Sequence, residues 1–70
     1  MNREQFLVVA TLLRMRENTV EAASMVLLDG FSQAHVARLM GMSTQAVGAA
    51  VRRIQGAHHM IEEAYRLNEE

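Results

Sequence analysis

The fold is decided by one segment, residues 33–54, which reads QAHVARLMGMSTQAVGAAVRRI. Ala37 is small enough for two helices to cross closely, and Gly41, four residues later, suits a turn with a left-handed backbone. Ser43 is placed to cap the next helix, because its hydroxyl can accept a hydrogen bond from a free backbone N–H. Val47 falls where that second helix must bury a side chain against the first. Together these residues predict a helix-turn-helix.

The helix after the turn has two distinct faces. One set of residues has the i, i+3, i+4, i+7 spacing of a buried stripe: Val47, Ala50, Val51 and Ile54. A second set is displaced by roughly half a turn and should face away from the core: Gln45, Gly48, Ala49 and Arg52. Gln and Arg suit the reading of base edges in the major groove of DNA, and small residues would allow the helix to approach the bases.

Length and composition limit the class of protein. Seventy residues make one domain at most, so we treat residues 1–70 as a single helix-turn-helix domain with its core motif at 32–54. Half of the residues are apolar, which is not the composition of a disordered tail. There is no cysteine, so disulfides, thiolate nucleophiles and Cys-based zinc fingers are excluded. No segment resembles a signal peptide or a membrane span, and we expect a bacterial cytoplasmic protein associated with the nucleoid or a plasmid.

The distribution of charge favours a nucleic-acid partner although the net charge is −1. Residues 30–61 contain no Asp or Glu, and this range includes Arg38, Arg52 and Arg53. The acids lie before it and after it, so the basic region coincides with the predicted motif. Chance clustering of the charges is the alternative explanation.

We predict an all-α fold of five helices without a sheet. The first runs from Asn2 to Arg16, and the second follows a weak capping box at 18–21 and ends at Asp29-Gly30. Ser32 should cap a third helix that reaches about Met40. The fourth, the recognition helix, covers 43–54 and ends near Gln55-Gly56, and the fifth covers 57–68.

The predicted fifth helix carries an apolar stripe whose role the sequence leaves open. The stripe could pack onto the other helices or form a dimer interface, and the two roles are compatible. The candidate dimerisation residues are Met60, Ile61, Ala64, Tyr65 and Leu67.

No constellation of residues predicts catalysis, a cofactor or a metal site, and we expect no small-molecule ligand. His58 and His59 precede Glu62 and Glu63 by four residues, which could suggest metal ligands. Adjacent histidines on a helix point in different directions, and one His–Glu pair gives too few ligands for a closed zinc site. Surface ion pairs are therefore the better interpretation, and we do not expect an enzyme.

The predicted partner is double-stranded DNA, with two groups of contacts. Gln45 and Arg52 should approach base edges, with Thr44 as a third candidate at the start of the helix, while Gly48 and Ala49 allow close approach. Phosphates should be contacted by Gln33, His35, Ser43 and Arg53, because Gln33 opens a helix whose dipole favours an anion.

The chain also resembles the TrfB/KorA family of plasmid-encoded transcriptional repressors over roughly residues 3 to 58. The resemblance lies in Glu4-Gln5-Phe6, Thr19-Val20-Glu21, Val26 to Gly30, Gln33-Ala34, Ala37, Gly41, Ala46-Val47, Ala50-Val51 and Arg53. It implies an all-helical domain that represses transcription at palindromic operators as a homodimer. Two features depart from the family. In the family a separate dimerisation region follows this domain, whereas only a short segment follows Gly56 here, and the outward face differs around Thr44 and Gln45.

Two other functions remain open on the sequence alone. The chain could be a promoter-recognition module like the last domain of sigma factors, which would bind the polymerase core stably and DNA weakly. It could also be a small helical interaction protein, an antitoxin or an adaptor, which would not shift DNA in a gel.

Overall fold

The computed structural model describes the backbone of residues 1–69 and the side chains of residues 1–67. This part of the chain forms four helices and no strand: α1 Arg3–Leu13, α2 Glu17–Leu27, α3 Gln33–Met40 and α4 Thr44–Glu69. The chain is all-α as predicted, but the predicted number of five helices is wrong. None of the helices in the described range is both long and apolar enough to cross a bilayer.

The fourth and fifth predicted helices are a single continuous helix of 26 residues. Gly56, the expected break between them, lies inside α4. It is absent from the glycines with a positive φ, which are Gly30 at 80° and Gly41 at 66°. A glycine in a helix interior costs only about 0.5–1 kcal/mol relative to alanine, a cost that helical packing on both sides can exceed. The segment 57–68 is therefore the second half of α4.

The first helix ends earlier than the sequence predicts. Asn2 and Gln5 form a capping box, with each side-chain oxygen accepting the other residue's backbone N–H at 2.8 and 3.0 Å. Helix α1 stops at Leu13 rather than Arg16, because Arg14 takes a left-handed backbone with φ of 54°. Its N–H bonds back to the end of the helix, as in a common helix terminus.

The start of α2 also differs from the prediction, whereas its end agrees with it. The helix begins at Glu17, and Arg16 before it provides no side-chain cap. The predicted capping box at 18–21 is wrong, because the Asn18 side chain bonds only the N–H of its neighbour Thr19, at 2.9 Å. Gly30 supplies the left-handed residue that ends α2, as expected.

The core lies where one stripe of α4 meets the other three helices, each of which packs against it. The stripe is the predicted one, and all four of its members are buried: Val47, Ala50, Val51 and Ile54. Facing them are Phe6, Val9, Ala10, Ala22, Ala23, Val36 and Ala37. Four of these seven partners are alanines, which lets the helices approach closely around the larger side chains of α4.

The position of Gly56 inside α4 predicts that Gly56→Ala stabilises the protein. A Cβ added there meets no atom within 4 Å, so alanine should raise the free energy of unfolding by about 0.5–1 kcal/mol. Chemical denaturation measures the change. Gly41→Ala is the matched comparison and should lower stability, because its left-handed backbone disfavours a Cβ. A break in the helix at Gly56 would instead make Gly56→Ala neutral or destabilising.

Candidate nucleic-acid interface

The turn between α3 and α4 has the geometry that the sequence predicted. Gly41 is left-handed, and its N–H donates to the carbonyl oxygen of Ala37. The N–H of Met42 donates to the same oxygen at 2.9 Å. Ala37 itself is buried, so the two helices meet at a small side chain. These contacts fix the direction in which α4 leaves the turn.

Both helices of the motif begin with the predicted serine caps. The Oγ of Ser32 accepts the N–H of His35 at 3.2 Å, and the Oγ of Ser43 accepts the N–H of Ala46 at 3.0 Å. Each cap satisfies one of the free N–H groups in the first turn of a helix. The N–H groups of Gln33 and Ala34 cannot find a partner inside α3 and remain directed out of its end.

The two motif helices differ from the other helices in the charge of their first turns. Glu4 and Glu17 lie in the first turns of α1 and α2, where a carboxylate balances the positive end of the helix dipole. Neither α3 nor α4 has an acid in its first turn. The motif therefore presents two uncompensated positive helix ends, a favourable setting for phosphate groups.

The outward side of α4 exposes most of the residues that were predicted to lie there. Gln45, Ala49 and Arg52 are exposed, as is Thr44 at the start of the helix. Gly48 is the exception, because it is buried rather than open to solvent. A Cβ at Gly48 would lie 2.9 Å from the Oε1 of Gln33. Gly48 therefore lies on the outward side of α4 but is not open to solvent, because the Gln33 side chain of α3 covers it.

Arg53 makes a contact within the chain that the sequence did not indicate. Its Nη2 donates a hydrogen bond of 3.2 Å to the carbonyl oxygen of Leu13. Leu13 is the last residue of α1, where backbone carbonyls lack helical partners and the dipole favours a cation. Arg53 therefore ties α4 to the end of α1 and leaves its other guanidinium N–H groups for a further partner.

Sequence reasoning also missed an aromatic contact at the entry to α3. The rings of Phe31 and His35 lie 5.3 Å apart and are tilted by 35°. The i, i+4 spacing of the two residues was the available signal, but Phe31 precedes the helix and so was not paired with it. Among the described residues, no group of three or more His, Asp or Glu side chains could hold a metal ion.

The capped α3, the glycine turn and the outward face of α4 define a helix-turn-helix domain. The sequence model described as TrfB plasmid transcriptional repressor matches residues 1–67, which is nearly the whole chain. The chain therefore belongs to this family of plasmid transcriptional repressors. Comparison with curated proteins and with solved structures gave no match.

The Arg53 contact predicts a stabilising role that is separate from any ligand. Arg53→Met keeps the aliphatic part of the side chain but removes the donor to Leu13, and should cost about 0.5–1 kcal/mol of unfolding free energy. Arg52→Met is the matched control, because no hydrogen bond joins the Arg52 side chain to another described group. Equal unfolding midpoints for the two variants would show that the Arg53 contact contributes nothing.

Proposed function

We propose that the protein is a sequence-specific DNA-binding repressor that places the first half of α4 in the major groove of its operator. The observation that carries this proposal is the exposed, acid-free face of α4, which offers Gln45, Ala49 and Arg52 on a helix fixed by the motif. Membership of a plasmid repressor family supports it. A gel mobility shift with operator-containing plasmid DNA is the test, because a protein-interaction module would not shift the DNA. Adding polymerase core distinguishes a promoter-recognition module, which would bind the core stably and the DNA alone only weakly.

In this proposal Gln45 and Arg52 contact the base edges, and Thr44 lies beside them at the start of the helix. The Gln amide and the Arg guanidinium can each form two hydrogen bonds in one plane, with adenine and guanine edges respectively. Ala49 lies between them and has a side chain too short to hold the helix away from the groove. Gly48 is covered by the Gln33 side chain, so it does not itself face the groove.

Phosphate contacts fall to Gln33, His35, Ser43 and Arg53 at the two ends of the motif. The uncompensated positive ends of α3 and α4 favour an anion there. The Ser43 hydroxyl accepts a bond from Ala46 and still has its own hydrogen to donate. Arg53 retains free N–H donors beyond the one that bonds Leu13.

The second half of α4 supports a homodimer on a palindromic operator. After Ile54 none of the described residues of α4 is fully buried, so this half of the helix extends beyond the core. Met60, Ala64 and Leu67 share one face at helical spacing and are exposed, Met60 by 72% and Leu67 by 71%. A second copy of this chain would cover that face and supply the second reading helix that a palindrome requires.

Ile61 and Tyr65 belong to a different part of this surface. Ile61 is partly buried against the core, and both residues line a groove of about 540 Å³ between α1 and α4. They border the dimer surface rather than forming its centre. Ile61→Asp would therefore disturb the fold as well as any dimer.

Ion pairs within α4 favour association of two such helices. His58 lies 2.9 Å from Glu62, and Glu63 lies 4.0 Å from His59 and 3.7 Å from Arg66. Among the described acids beside the apolar face, Glu63 thus has a cationic partner on its own helix, whereas the two histidines are cationic only when protonated. Repulsion between the Glu63 side chains of two copies is reduced, although exposed pairs of this kind contribute only a few tenths of a kcal/mol.

Substitution of the base-reading residues should weaken specific binding selectively. Gln45→Ala and Arg52→Ala should each cost about 1–3 kcal/mol on the cognate operator and relax the preference at particular base pairs. Binding to random DNA should change far less for Gln45→Ala. Titration of both DNAs at one salt concentration measures the ratio. Equal losses on operator and random DNA for both variants would reject base reading.

The dimer proposal predicts that Met60→Asp weakens association but leaves the fold intact. Each copy would lose roughly 1.5–3 kcal/mol of apolar burial at the interface, and because a dimer contains two copies the dissociation constant should rise on the order of a hundredfold or more. Sedimentation measures association and circular dichroism measures folding. Leu12→Asp is the matched control, because Leu12 is an exposed apolar residue of α1. The opposite result, loss of the dimer in Leu12→Asp only, would place the interface on α1.

A further inference from the structure

Two side chains from different helices converge on the bare backbone of Gly48. A Cβ at Gly48 would lie 2.9 Å from the Oε1 of Gln33 and 3.2 Å from the Nη1 of Arg52. The amide oxygen of the first residue of α3 and the guanidinium of an exposed residue of α4 therefore both lie close to one point. That point is vacant only because residue 48 is a glycine.

We infer that Gln33 is a positioning residue, whose amide oxygen biases the nearby Arg52 guanidinium beside Gly48 toward the orientation with which it reads DNA. The inference rests on the proposed function and assigns specificity to a residue outside the recognition helix. Gln33 acts through Arg52 in this role, and its contact with a phosphate uses a different atom, the amide nitrogen.

Electrostatics and side-chain entropy both favour this role. The amide oxygen carries partial negative charge, and it lies near the cationic guanidinium beside a stretch of backbone that has no side chain. Gln33 is partly buried, whereas Arg52 is exposed and would otherwise sample many rotamers. An arginine that is already ordered loses less entropy when it binds a base. No hydrogen bond joins either side chain to another described group, so their donors stay available to DNA.

The glycine is required by this arrangement and not by the fold. Its φ is not positive, so an alanine would fit the helical backbone. The atoms that an alanine Cβ would displace are the far ends of two flexible side chains, not core groups. Gly48→Ala should therefore separate Gln33 from Arg52 while the helix remains intact.

A first experiment examines the free protein. Side-chain NMR relaxation of the Arg52 Nε–Hε group should report restricted motion in the wild type and increased motion in Gln33→Met, which keeps the bulk of Gln33 but lacks the amide. Gly48→Ala should have the same effect, and Gly56→Ala, which meets no atom, should have none. Unchanged Arg52 motion in both Gln33→Met and Gly48→Ala would overturn the positioning role, whatever the protein does with DNA.

A second experiment measures specificity, using DNA selected from a random pool by the wild-type protein. For each base pair, the affinity for the selected DNA is divided by the affinity for the same DNA with that base pair changed. Phosphate contacts contribute equally to both affinities, so this ratio reports base recognition alone. Gln33→Met and Gly48→Ala should reduce this ratio on the order of tenfold at the base pair that Arg52→Ala identifies. Gly56→Ala should leave it unchanged.

The double variant Gln33→Met with Arg52→Ala decides how the residues act. Its ratio should equal that of Arg52→Ala alone, because Gln33 has no other route to the base. If the double variant instead shows the product of the two single-variant losses in this ratio, the inference is wrong, but the proposed function is unaffected. A wild type that selects no DNA would overturn both, and the NMR result would still show whether Gln33 orders Arg52.

Discussion

The burial of one stripe of α4 is the constraint on which the other features of the molecule depend. Val47 and Ile54 are completely buried, and α1, α2 and α3 all pack against this helix. Because the stripe must face inward, the residues half a turn away from it must face outward along the first half of α4. The core thereby determines which side chains this protein can offer to a partner. The turn between α3 and α4 sets only the direction in which these side chains point.

Local rules were sufficient to predict the features closest to the turn. The two serine caps, the left-handed Gly41, the small Ala37 and the buried stripe each follow from a few neighbouring residues, and each is present. Glycine and serine have strong preferences at helix ends, so their positions carry structural information without a tertiary context. The exposure of Gln45 and Arg52 follows from helical periodicity alone, and the family resemblance used the same residues.

Features that depend on tertiary context were not predictable in this way. A glycine can end a helix or lie inside one, and Gly56 lies inside because packing along α4 outweighs a small local cost. Gly48 was placed outward by periodicity, but the Gln33 side chain from α3 covers it. The bond from Arg53 to Leu13 joins residues that are 40 positions apart, so no local pattern reveals it. The charge pattern predicted only a phosphate contact for Arg53 and gave no sign of a contact within the chain.

The continuity of α4 changes how the proposed reading and pairing surfaces relate to each other. With a break at Gly56, the dimer could adapt its spacing to an operator by bending at a joint. A continuous helix, rising about 1.5 Å and turning about 100° per residue, fixes both the distance and the angle between Arg52 and Met60. In the proposed dimer, the spacing of two half-sites would then be set by how two copies pack along Met60, Ala64 and Leu67. Operator choice in this protein would accordingly depend on the packing of the dimer as much as on the side chains that touch bases.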